Sequence, residues 1–165
     1  MKECEVITKY KEVSPEELSA EDRKLVETAK EMTRSSYAPW SKFMVGAAIR
    51  LEDGSIVKGA NQENVAFPSG TCAERSACYW AGANHPGMKM RKIAIAARNL
   101  SGDNTPENFD DQFTPIPTAP CGACRQALLE YETLGGPIEV ILYGRDKTFI
   151  LPSVASTLPF CFSEF

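Results

Sequence analysis

The sequence predicts a mixed β-sheet with helices packed on it, an α/β layer architecture. Three observations carry that expectation. Helical and extended periods alternate in the order α-β-β-α-β-α-β, with a possible extra strand near the end. An Asp53-Gly54 pair between two extended runs is a hairpin signal. The chain has 165 residues and is 43% hydrophobic, enough for one compact domain with a sizeable core.

Ser14-Pro15-Glu16-Glu17 carries a helix-start signal, with proline near the first helical position and an acid three residues after the cap. Ser19 offers a second start, and behind it Leu25, Val26, Ala29 and Met32 recur at helical spacing. A helix is therefore expected over 20–34, ended by Tyr37-Ala38-Pro39. Phe43 to Leu51 reads as a strand and, after the turn, Ile56 and Val57 begin its partner. Thr71 to Ala83 reads as a helix capped by Thr71, Lys92 to Arg98 as a buried strand, and 99–119 as a long polar loop. Pro120 to Tyr131 reads as a helix broken by Gly135-Gly136-Pro137, Ile138 to Tyr143 as a strand, and Thr148 to Leu151 as one more. One domain over 1–165 is expected, with 1–18 as an N-terminal extension; no repeat or linker divides it.

Charge argues against long polyanions as partners. The formal net charge is −4, and no run of Lys or Arg exceeds two, whereas a nucleic-acid binder usually carries a basic face. No stretch is apolar for about 18 residues, so no membrane partner is expected. The N-terminus lacks an apolar signal core, which makes the cytoplasm the default location. Six cysteines in a reducing compartment point to metal binding or catalysis rather than disulfides.

The chemistry gathers at Cys72-Ala73-Glu74 and Pro120-Cys121-Gly122-Ala123-Cys124. Cys121 and Cys124, three apart, can face one site from the first turn of a helix. Cys72 and Glu74 are about 200° apart around a helix, so they can share a site only just beyond its N-terminal end. Two helix N-termini aimed at one point would favour an anionic cluster. Three thiolates make a zinc site one ligand short, and an open position marks a catalytic zinc that activates water. Arg75 and the helix dipoles can offset the excess negative charge, and Glu74 is placed to shuttle protons. A C-x-x-C alone would equally suit a thioredoxin-like dithiol, and a structural zinc module would need Cys78 as a fourth ligand.

C-A-E followed by P-C-x-x-C resembles the signature of the cytidine deaminases. Zinc deaminases use His/Cys/Cys or three cysteines, with a glutamate that is not a ligand. Cysteine in the first position looks like the nucleoside-level, small-subunit branch. Residues 37–48, Tyr-Ala-Pro-Trp-Ser-Lys-Phe-Met-Val-Gly-Ala-Ala, look like the family's opening strand; Asn61-Gln62-Glu63-Asn64 looks like its ribose-binding segment, and Pro120 to Gln126 like its P-C-G-A-C-R-Q helix start. The resemblance spans about Tyr37 to Tyr143.

The resemblance implies a three-layer α/β/α fold with helices on both faces of the sheet. It implies one zinc per subunit held by Cys72, Cys121 and Cys124, with Glu74 as general acid/base. Asn61 and Glu63 would hold the ribose, Phe43 would pack on the nucleoside, the Ala73 backbone would meet the base edge, and Arg75 would hydrogen-bond the thiolates. A homotetramer is implied, with Phe67 and Phe162 as candidates for lending to a neighbour's site. The expected reaction is hydrolytic deamination of cytidine and deoxycytidine in pyrimidine salvage. The alternative is a zinc deaminase of another small aminated nucleoside such as blasticidin S. Pro68 and the length of the 99–119 loop depart from the family's pattern.

Overall fold

The computed structural model describes residues 1–99 and 108–163. Among them are β1 (Lys11–Val13), α1 (Ala20–Met32), β2 (Phe43–Leu51), β3 (Ile56–Ala60), α2 (Ala73–Asn84), β4 (Met90–Asn99), α3 (Gly122–Gly135), β5 (Glu139–Tyr143) and β6 (Thr148–Leu151). The strands form one mixed sheet in the order β1-β6-β5-β4-β2-β3, with β4 and β5 parallel and the other neighbours antiparallel.

Alternation along the central strands builds two cores. Ala47, Ile49, Ile93, Ile95, Val140 and Leu142 face α2 and α3. Ala48, Ala94, Ala96, Ile141 and Tyr143 face α1 through Leu25, Val26 and Ala29. The helices thus cover both faces, as the three-layer expectation requires. Two glycines permit close approach. A Cβ on Gly46 would lie 2.0 Å from the Ala29 carbonyl oxygen of α1, and one on Gly59 would lie 2.6 Å from both the Ala73 oxygen and the Ala77 nitrogen of α2. Only glycine lets helix backbone rest on strand backbone there.

Local starts follow the sequence. Ser19 caps α1, its Oγ accepting from Asp22 N–H at 3.1 Å, while Ser14-Pro15 opens only a 3₁₀ turn over Pro15–Glu17, with Ser14 N–H donating to Glu17 at 2.7 Å. α1 passes into a further 3₁₀ turn at Thr33–Ser35. Cys72, not Thr71, occupies the cap position of α2 and Cys121 that of α3, neither side chain making a cap hydrogen bond, and the end of α3 is closed by Gly136 at φ 90°. β1, which sequence reading missed, pairs with β6, and Leu18 is buried. Of the expected 99–119 loop, 100–107 lie outside the described residues; the rest holds a 3₁₀ turn at Asp110–Gln112 and a bridge from Phe113 to Arg98.

β3 and β4 are both antiparallel to β2, so they run the same way. α2 follows β3 and α3 follows β4 on the same face of the sheet. Both helices therefore begin at the carboxyl ends of these strands, where open α/β sheets place their ligands.

Candidate metal centre and active site

The two helix starts bring three thiols together. The Sγ atoms of Cys72, Cys121 and Cys124 all lie within 4.8 Å of one another, with Cys72–Cys121 at 3.9 Å and Cys121–Cys124 at 3.5 Å. Tetrahedral zinc with bonds of about 2.3 Å spaces its sulfur ligands by about 3.8 Å, so the donor set and spacing fit that ion. Among the described residues this is the one such cluster. Cys78 is not in it; it is buried a turn further along α2, its thiol donates to the Arg75 carbonyl at 3.7 Å, and burial pushes that thiol up to about 12. A four-cysteine structural site is therefore not built. His85 packs its ring against Trp80 at 5.5 Å, away from the thiols.

Charge at the thiols is uneven. Hydrogen bonding from Cys124, then from Arg75 and Cys121, outweighs burial and holds Cys72 down to about 5. Cys124, buried against that thiolate, is held up instead. The Arg75 Nη2 donates to Cys72 Sγ at 3.9 Å, and its guanidinium is correspondingly stabilised as a cation. Arg75 Nε is buried with no partner among the described residues.

Glu74 is only 4% exposed, two residues beyond Cys72. Burial, reinforced by the Cys72 charge, pushes its carboxyl up to about 7. A carboxyl poised near neutrality is suited to taking and giving protons.

One cavity of about 850 Å³ joins these groups; Glu74, Cys72, Cys121, Arg75, Phe43 and Asn61 all line it. Asn61 is held between strands, its Oδ1 accepting from Val45 N–H at 2.8 Å and its Nδ2 donating to the Phe43 carbonyl at 2.9 Å. Glu63 also lines the cavity; its carboxylate accepts from Trp40 N–H at 2.9 Å and from Ser41 N–H at 3.3 Å, and hydrogen bonding with Ser41 holds it below the usual carboxylate range. Each side chain keeps spare hydrogen-bonding capacity for a ligand. Ala73 is fully buried and is not among the residues that line the cavity, so the contact to the base edge expected of its backbone is not placed there. Phe67 stands at the cavity mouth, 90% exposed. Phe162 lies outside the cavity, where its carbonyl accepts from Gln126 Nε2 at 2.8 Å. Reading the sequence identified the side chains but missed this support: Trp40 and Ser41 offer backbone N–H groups, which carry no residue signature.

Known proteins agree with the geometry. The family model described as the cytidine and deoxycytidylate deaminase zinc-binding region matches residues 19–134. A cytidine deaminase from Sporosarcina psychrophila is 34% identical over 141 residues, 86% of this chain and 90% of that protein. A blasticidin-S deaminase from Bacillus cereus is 32% identical over 114 residues, covering 69% of this chain and 75% of its own. The crystal structure of cytidine deaminase from Burkholderia pseudomallei superposes with a TM-score of 0.68 at 33% identity, covering 84% of this chain and 97% of that one. The chain belongs to the cytidine and deoxycytidylate deaminase family, and its three-cysteine site fits the zinc of that family.

Proposed function

We propose that this family member hydrolyses the exocyclic amino group of free cytidine and deoxycytidine, giving the uracil nucleoside and ammonia. The observation that carries the reading is Glu74, buried with a raised pKa beside three convergent thiols in one cavity. Zinc held by Cys72, Cys121 and Cys124 would supply a Lewis acid with one position left open, making water a nucleophile near neutral pH. Glu74 takes a proton from the attacking water and delivers it to the pyrimidine ring. It then takes the proton of the new hydroxyl on the ring carbon and passes it to the amine as the carbon–nitrogen bond breaks, so water and cytidine leave as uridine and ammonia. Asn61 and Glu63 offer a donor and an acceptor to a sugar hydroxyl, and Phe43 packs on the nucleoside. Arg75 balances the thiolates.

The cavity also favours a nucleoside over a nucleotide. Arg75 is its one cationic lining residue among those described, and it is committed to Cys72, whereas Glu63 and Glu74 would repel a phosphate. The chain acts as one domain. It assembles as a homotetramer, a reading supported by Trp40, Val65 and Phe67, exposed and apolar at the cavity mouth; Phe67 and Phe162 would reach a neighbour's site. It works in the cytoplasm in pyrimidine salvage, consistent with free thiols at all six cysteines. The test is ammonia release from cytidine, deoxycytidine, cytidine monophosphate and blasticidin S by protein of measured zinc content. Turnover of both nucleosides and not of the monophosphate is expected. Turnover of blasticidin S alone would replace the reading.

A further inference from the structure

Arg125 has no place in the reaction, yet it sits where a cation is unfavourable. It lies in the first turn of α3, at the positive end of the helix dipole, next in the chain to Cys124. Its hydrogen bonds account for its position. Nε donates to the Pro120 carbonyl at 2.7 Å and Nη1 donates to the Thr157 carbonyl at 2.9 Å. Pro120 is buried and directly precedes Cys121.

The far anchor is itself fixed. Thr157 belongs to a 3₁₀ turn over Ala155–Thr157 that follows β6. Buried Glu132, two turns beyond Arg125 on α3, accepts from Val154 N–H at 2.7 Å, Ala155 N–H at 2.9 Å and Ile138 N–H at 2.8 Å. Val154 is buried in the same core cluster as Leu128 and Leu129 of α3. At the start of α3, Cys121, Gly122 and Ala123 are exposed, between buried Pro120 and buried Cys124.

We infer that Arg125 is a positioning residue for Cys121: its guanidinium bridges the Pro120 carbonyl to the C-terminal turn at Thr157 and so holds the exposed edge of the three-thiol centre in its ligating geometry. The inference rests on the reading of Cys72, Cys121 and Cys124 as metal ligands. The planar fork of arginine is needed because two carbonyls must be met at once, which a lysine ammonium on a flexible stem does poorly.

The test measures zinc release from the full-length, zinc-loaded protein to a chromophoric chelator, at a temperature where circular dichroism shows every variant folded. Arg125→Gln and Arg125→Lys are each expected to release zinc about 10- to 100-fold faster than the parent, the range for losing a group that supports a metal ligand. Cobalt-substituted Arg125→Gln should show a shifted thiolate-to-metal absorption band. Cys121→Ser is the control and should fail to retain zinc. If Cys121→Ser loses zinc while both Arg125 variants release it at the parent rate, the inference is overturned and the ligand reading stands. If Arg125→Lys matches the parent and only Arg125→Gln is faster, charge rather than the bridge is responsible, and the inference is likewise overturned. If Cys121→Ser keeps zinc as the parent does, the ligand reading itself falls.

Discussion

The two faces of the sheet use one backbone device for opposite ends. On one face Gly46 lets α1 lie against β2; on the other Gly59 lets α2 lie against β3. Under α1 the charges of Lys30 and Lys92 are paired. Lys30 meets Glu27 and Asp110 at 2.9 Å and lies over the Phe113 and Tyr143 rings, while Lys92 bridges Asp22 and Glu139 at 2.8 Å. Under α2 and α3 the sheet is equally well covered, but at their N-termini a carboxyl is buried at raised pKa and three thiols are crowded together. One face is built for stability. The other holds unfavourable charge that packing alone would never select, which is the mark of a site.

The same substitution on each face should separate the two. Gly46→Ala drives a Cβ to 2.0 Å from a helix carbonyl, and Gly59→Ala drives one to 2.6 Å from α2 backbone. Each is expected to cost about 1–3 kcal/mol or more, read as a fall in the denaturant midpoint. Zinc content per folded molecule should fall only for Gly59→Ala, because α2 carries Cys72 and Glu74 at its start. Equal zinc loss in both would break the distinction between the faces.

A smaller effect is expected at the cavity mouth. Glu63→Gln removes one acceptor from the Trp40 and Ser41 amides and from the sugar. KM for cytidine should rise ~10-fold with kcat less affected, a loss of uniform binding. An unchanged KM would remove the sugar role.

The smallest effect concerns the α1 face. Burial raises the Asp22 pKa, but hydrogen bonds from Lys92 and Ser19 outweigh it and the net shift is downward. Its stabilisation is therefore complete above the unfolded value of about 3.9 and is lost as pH falls through the lower folded value. Asp22→Asn should lower Tm by about 2–4 °C at neutral pH and converge with the parent in strong acid, with turnover unchanged. Altered turnover would show that the faces are coupled.

Much of this was legible before the fold was known. Cys72, Glu74, Cys121 and Cys124 announce themselves because their spacing makes sense only at helix N-termini, and Asp53-Gly54 marks the β2–β3 hairpin. The starts of α2 and α3 were displaced by one or two residues, since a cysteine at the cap position sends no capping signal of its own. The split of Ile93-Ala94-Ile95-Ala96 between two cores was hidden, because a strand buried on both faces shows no polar alternation. β1 is three residues long with two of them exposed, too short for any period to appear. Gly46 and Gly59 look like weak points in strands until a helix backbone is seen against them. Arg125 reads as part of a motif, and its purpose depends on Thr157, 32 residues away.

Zinc content and cytidine turnover measured together in the parent and in Glu74→Gln decide whether Glu74 carries the protons at a zinc-bearing site. Equal zinc per chain is expected in the two, with turnover lower in the variant by at least ~10²-fold, the loss expected when a positioned proton carrier is removed. Undiminished ammonia release from zinc-loaded Glu74→Gln would contradict that role.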